Sequence, residues 1–241
     1  MSKAIVLGLG LLFVLTAPAM AQDLSINFGD QTALSTRSVQ LLVVMTVLSL
    51  VPGLAVMITC FPFIVTVLSI LRQAIGLQQS PPNMLIVSLA LFLTWFVMDP
   101  VFTEAWVQGV EPLNAGSIDL QQAIPLMLAP FRGFMAARLD GDTFTALQNL
   151  RPAVAPVVPI DAPLSLLVPS FILSEIQRAF EIGFLIFLPF LIIDLVVAAV
   201  LMSMGMMMVP PAVVSLPFKL AFFVVADGWA LVSGALVRSY F

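Results

Sequence analysis

The chain has 241 residues, of which 61% are hydrophobic and 9% charged, with a formal net charge of −4. That is too little polar surface to clothe a soluble domain, so the composition marks an integral membrane protein. The weak acidic balance also excludes an electrostatic footprint for nucleic acid. Histidine is absent and Cys60 is the single cysteine, so the commonest general base and metal ligand is missing, and neither a disulfide framework nor a thiolate cluster is available. No metal or cofactor site and no enzyme activity are expected, and Cys60 reads as a small buried hydrophobe.

Residues 1–21 read as a cleavable signal peptide. Lys3 supplies the positive start, residues 4–15 the apolar core, and Ala19-Met20-Ala21 the small-x-small site, followed by polar Gln22-Asp23. Cleavage after Ala21 leaves the mature N-terminus, a short polar segment over 22–37, outside the cytoplasm; an uncleaved anchor helix is the alternative. Residues 38–71 then carry no charge. As a helix they would span about 50 Å, well beyond a bilayer core of about 30 Å. Pro52-Gly53 and Pro62 interrupt the run, which predicts either one kinked helix or two shorter pieces. Arg72 ends it and a turn-rich connector follows over 76–82. A second apolar segment over 84–107, with Asp99-Pro100 and Glu104 near its end, completes an N-terminal helical hairpin over 38–107.

Residues 108–181 change character, with many prolines and the charges Arg132, Arg138, Asp140, Asp142 and Arg151. They predict an extra-membrane region, amphipathic over 128–150 and broken at Gly133 and at the Asp140-Gly141-Asp142 turn. A helix over 170–181, opening on Ser170 as N-cap, carries Glu175, Arg178 and Glu181. The Glu175–Arg178 spacing allows an ion pair on one face. Two further apolar segments, near 182–204 and 212–237, form a C-terminal hairpin over 182–241. Four crossings of the membrane would put 108–181 and the C-terminus outside, with Arg72 and the 202–211 turn on the cytoplasmic side.

Within that turn, five of the seven residues from Met202 to Met208 are methionine, punctuated by Gly205 and Pro210-Pro211. Thioether chains are unbranched and re-pack readily around varied shapes. Met204, Met206, Met207 and Met208 therefore predict a deformable apolar gasket at a constriction; a methionine-rich core turn is the plainer alternative. Asp194, Lys219 and Asp227 stand in apolar surroundings, and each needs a partner or a wet cavity. These charges, with Glu175 and Arg178, predict contacts between copies or buried pairs within one chain. A contact between Glu175 and Lys219 of neighbouring copies is the specific expectation.

The run Leu167–Phe184 resembles the signature of the FliP/SctR family of type III export gates, as do Leu188–Leu195, Met204–Pro211 and Leu216–Leu220. Leu71–Gly76, Ser80–Asn83 and Leu89–Thr94 are similar to the same family, and Asp227-Gly228-Trp229 is closer to its flagellar branch. The likeness covers nearly the whole mature chain. It departs at Pro62-Phe63, where the family has Thr-Arg, and the middle region is short and matches poorly. The resemblance implies an all-α integral membrane protein of helical hairpins with interrupted helices, oligomerising with FliQ-type and FliR-type subunits into a helical assembly raised largely out of the bilayer. It implies contact with other membrane proteins of the export apparatus, with lipid, and with the unfolded flagellar subunits that pass through the gate. It also implies residence in the bacterial inner membrane at the flagellar basal body, with the methionine turn lining the closed pore. The alternatives are a virulence-injectisome gate subunit and, more remotely, a secondary ion or solute transporter using Asp194 and Asp227. A transporter would carry inverted internal repeats, and none is visible in the sequence.

Overall fold

A computed structural model describes residues 31–77, 81–151 and 157–241; the expected signal peptide over 1–21 and most of the polar segment over 22–37 lie outside these. Two units are distinguished, one ending at Ser49 and one spanning Leu50–Phe241. In the first, the described residues are helical, belonging to α1 (Gln31–Met57), and Val39, Leu41, Leu42 and Met45 are exposed.

In the second unit, the long charge-free run resolves into two pieces. Helix α1 ends at Met57, and Ile58–Cys60 form a turn in which the Thr59 hydroxyl donates to the Val56 carbonyl at 2.8 Å. Pro62 falls in the first turn of α2 (Phe61–Ile75), where its missing N–H has no helical partner to lose. Gly76, at φ 89°, closes α2 in the left-handed region. With 15 residues, α2 spans about 22 Å, so it is too short to cross a bilayer alone. It is instead the hub of the core, with Phe63, Ile64, Val67, Leu68 and Leu71 fully buried, packed by α3, α7 and α8.

Helix α3 (Asn83–Ala105) runs through Pro100 into a π-helical turn, Trp106–Val110, and a last turn, Glu111–Asn114 (α4). Helix α5 (Leu120–Arg138) opens on a capping box formed by Asp119 and Gln122. It continues through Gly133, where the sequence predicted a break; an isolated glycine costs a helix only about 1 kcal/mol. The break comes at Leu139-Asp140, and Asp140 caps α6 (Gly141–Asn149), accepting from the Thr143 amide and hydroxyl, both at 2.8 Å.

Helix α7 (Leu164–Ser203) is a single helix of 40 residues, about 60 Å long, containing Pro169 and Pro189. The predicted helix start at Ser170 and the boundary at 181–182 are both absent. Ser170 is fully buried inside the helix and donates to the Leu166 carbonyl at 2.7 Å. The residue before α7 is Pro163, and nothing downstream breaks its hydrogen-bond ladder strongly enough to make a second start. Helix α8 (Pro211–Val225) meets α9 (Gly228–Arg238) at a bend of 61°, so the last apolar segment is two helices. Its corner residue, Asp227, adopts φ 48°.

Among the described residues, Asn83–Asn114 and Leu164–Ser203 are long and apolar enough to cross a membrane, and the bent α8–α9 pair makes a third candidate. Together with the shortness of α2, this gives two or three candidate crossings where hydropathy counted four.

Candidate functional site

The methionine turn is built by a helix C-cap. Gly205, at φ 75°, is the residue after the cap of α7. Its amide donates to the Met202 carbonyl at 3.0 Å, and the Met206 amide reaches back to Leu201 at 3.0 Å. These two bonds are the Schellman pair, which reverses the chain within one turn. Pro210 and Pro211 then start α8, with Pro211 in its first turn. The loop therefore ends in a tight tip. There Met204, Met207 and Met208 are 64%, 85% and 98% exposed and Met206 is 38% exposed, so the four side chains stand outside the core of the single chain. Below the tip, Val196, Val200, Leu201, Met204, Met206 and Phe218 line an apolar cavity of about 590 Å³ between α7 and α8.

Alongside this cavity, the hairpin is cross-linked by polar groups. Lys219 is 5% exposed. Its Nζ donates to Asp194 Oδ2 at 2.6 Å and to the Ala74 carbonyl of α2 at 3.2 Å. The fully buried Ser215 donates to Asp194 Oδ1 at 2.5 Å. A lysine in apolar surroundings thus finds both a carboxylate and a backbone oxygen, and three helices are tied at one point. Helix α2 supplies the carbonyl because it ends just there, and the last carbonyls of a helix lack intrahelical partners.

A second buried cluster forms around Glu175, which is fully buried. Arg138 Nε donates to its Oε1 at 3.2 Å and Arg178 Nη1 lies 3.9 Å away. The Tyr240 hydroxyl donates to the other carboxylate oxygen. Arg138 also bonds the Ser239 carbonyl at 2.7 Å through Nη1 and covers the Tyr240 ring, with its guanidinium carbon 4.0 Å from the centroid. Burial first, and then the neighbouring Glu175 charge, push the Tyr240 hydroxyl well above the ordinary tyrosine range, so it stays a neutral donor. The expected Glu175–Arg178 proximity is present, but Arg138 is the closer partner. The partnership was invisible in the sequence because Arg138 lies 37 residues upstream. Tyr240, the single tyrosine of the chain, was the one available signal for the rest of the network.

Within the chain, Glu175 bonds Arg138 and Tyr240, while Lys219 bonds Asp194 and the Ala74 carbonyl. Asp194 and Lys219 realise the intrachain alternative. Asp227 stands apart from both clusters, at the α8–α9 corner, and makes no side-chain cap to α9. Among the described residues, no group of His, Cys, Asp or Glu is placed to hold a metal.

The FliP family model matches residues 44–236. The chain is 50% identical over 228 residues to the flagellar biosynthetic protein FliP of Caulobacter vibrioides, covering 94% of this chain and 86% of that one. It is 49% identical to the flagellar biosynthetic protein FliP of Agrobacterium fabrum, over 81% of each chain. It is 44% identical to that of Bacillus subtilis, over 84% of this chain and 92% of the relative.

Proposed function

The chain belongs to the FliP family, and on that premise we propose that it is a subunit of the flagellar type III protein export gate, forming with further copies the channel through which unfolded flagellar subunits leave the cytoplasm. The observation that carries this reading is the extent of the likeness, which takes in both hairpins and the turn between α7 and α8. The family and the apolar helices mark a membrane protein of flagellar biosynthesis. The finer reading places it in the inner membrane at the basal body, assembled with FliQ-type and FliR-type subunits, with a transport role in place of catalysis and with residues 1–21 removed.

Met204, Met206, Met207 and Met208 form the seal of that channel. An exposed tip of thioethers on a tight turn suits the role, because several tips converging on one axis would exclude water when closed. They would also yield to side chains of varied shape in transit, since methionine changes rotamer at low cost.

Deleting the gene tests the assignment. Loss of hook and filament, with swimming restored by an intact copy, is the expected result. Normal flagella, together with loss of protein injection into host cells, would place the chain in the injectisome branch instead.

A further inference from the structure

Away from the methionine tip, and beside the Lys219 cross-link, lies a cavity of about 600 Å³. It opens where the C-terminal end of α2, the start of α3 and the α8–α9 corner meet. Its floor is apolar, with Leu85, Leu220 and Phe223 among the lining residues, and its polar lining includes Arg72, Asp227 and Trp229. The volume falls within the range of about 300–1,000 Å³ usual for small-molecule sites.

The placement of these polar groups is informative. Arg72 is the first charge after the charge-free run of 38–71, and Asp227 interrupts the last apolar segment of the chain. Two segments far apart in sequence thus turn polar at the same cavity, beside a tryptophan, the residue type that favours the boundary between lipid and water. Arg72 Nη1 donates to Asn83 Oδ1, its one side-chain hydrogen bond among the described residues. A guanidinium carries five N–H donors, so donors remain for an anionic oxygen. The Asp227 carboxylate, exposed and not engaged in capping, is an acceptor for a cation.

We propose that this cavity binds one phospholipid with a primary-amine headgroup, a phosphatidylethanolamine. The phosphate lies on Arg72, the ammonium on Asp227, and the upper part of one acyl chain on Leu85, Leu220 and Phe223. Charge complementarity selects this occupant. An anionic phosphatidylglycerol would set its charge beside the Asp227 carboxylate with no cation of its own to offset it. A trimethylated headgroup has no N–H to donate to that carboxylate. Sites of this kind, where a basic residue between helices holds a headgroup, follow from ordinary membrane electrostatics.

The test is native mass spectrometry of the assembled complex, extracted in mild detergent and equilibrated with micelles containing equal phosphatidylethanolamine and phosphatidylglycerol. Wild type should retain phosphatidylethanolamine in preference. Arg72→Ala should lower that retention about tenfold, the equivalent of one charge-assisted hydrogen bond. Asp227→Asn should shift the retained lipid toward phosphatidylglycerol. Leu85→Trp keeps both charges and substitutes an exposed side chain, so it should exclude lipid without disturbing the core. The proposal is overturned if wild type retains neither lipid, as when another subunit covers the cavity. It is equally overturned if phosphatidylglycerol is preferred, or if the Arg72→Ala and Leu85→Trp complexes hold phosphatidylethanolamine as wild type does.

Discussion

Lys219 on α8 reaches Asp194 on α7 at 2.6 Å and at the same time donates to the carbonyl of Ala74. The hairpin that carries the methionine tip is thereby pinned to the end of the buried α2.

Breaking this pin should loosen the hairpin. Lys219→Met leaves the Asp194 carboxylate with Ser215 alone. Because the Asp194 side chain is 32% exposed, the loss should fall below the range for a fully enclosed pair, at about 2 kcal/mol. Thermal unfolding of the detergent-extracted complex reads the loss. Exchanging the two residues, Asp194→Lys with Lys219→Asp, should recover part of it. A double variant no better than the worse single one would show that the Ala74 carbonyl, and not the carboxylate, is the partner that matters.

The methionine tip predicts a leak. Replacing Met204, Met207 and Met208 with alanine should raise ion conductance across membranes holding the assembled complex, with assembly preserved, since these side chains are exposed in the single chain. Leucine at the same positions should seal better than alanine, with less tolerance for passing substrates. An alanine variant that assembles and stays as tight as wild type would leave the methionines as packing residues.

Glu175 and Tyr240 predict a dependence of stability on the last turn of the chain. Tyr240→Phe keeps the edge contact with Phe63, whose ring centroid is 5.6 Å away, and removes only the hydroxyl donated to a buried carboxylate. A cost of about 1.5–3 kcal/mol is expected for a bond to a charged group. Glu175→Gln should cost more, because it leaves the Arg138 guanidinium without its anion. Equal melting temperatures for Tyr240→Phe and wild type would remove the hydroxyl from the network.

Asp140 predicts a pH effect of one sign. The hydrogen bonds from the Thr143 amide and then its hydroxyl hold the carboxyl below its ordinary value. A depressed folded-state value means the contribution is present in full above the unfolded carboxylate value and fades as pH falls through the folded one. Protection of the α6 amides in hydrogen exchange should therefore drop on acidification. Asp140→Asn, which still caps but does not titrate in this range, should flatten that dependence. An unchanged acid profile in the variant would assign the effect to another group.

Gly183 predicts a compensating pair. A Cβ there would collide with the Ile70 side chain of α2, so Gly183→Ala should cost about 1–3 kcal/mol by overpacking. Ile70→Ala in the same chain should return part of the loss. A Gly183→Ala variant as stable as wild type would mean that α2 and α7 separate more easily than their packing implies.

How far the sequence carried differs from element to element. The apolar segment at 84–107 and the turn at 202–211 were legible because long uncharged runs and a Gly/Pro-punctuated loop are local signals. The predicted start at Ser170 failed because a serine inside a long helix can return its hydroxyl to the carbonyl four residues back, which a sequence does not distinguish from a cap. The corner at Asp227 was hidden because the flanking residues are apolar on both sides, and hydropathy does not register backbone direction. Lys219 was flagged correctly as a charge needing a partner. Its partners, 25 and 145 residues away, follow from the packing of three helices and have no counterpart in spacing.

The enclosure of α2 has a consequence for how the protein is made. Helix α2 leaves the ribosome early, while the walls that enclose it on α7 and α8 are translated late. Until they arrive, a short apolar helix that cannot span the bilayer alone lacks the cover that those two walls give it in the finished fold. The nascent chain thus needs shelter from an insertase or from lipid for as long as translation takes to pass the middle region. Slowing elongation between Asn149 and Leu164 would lengthen that vulnerable interval without altering a single contact of the finished fold.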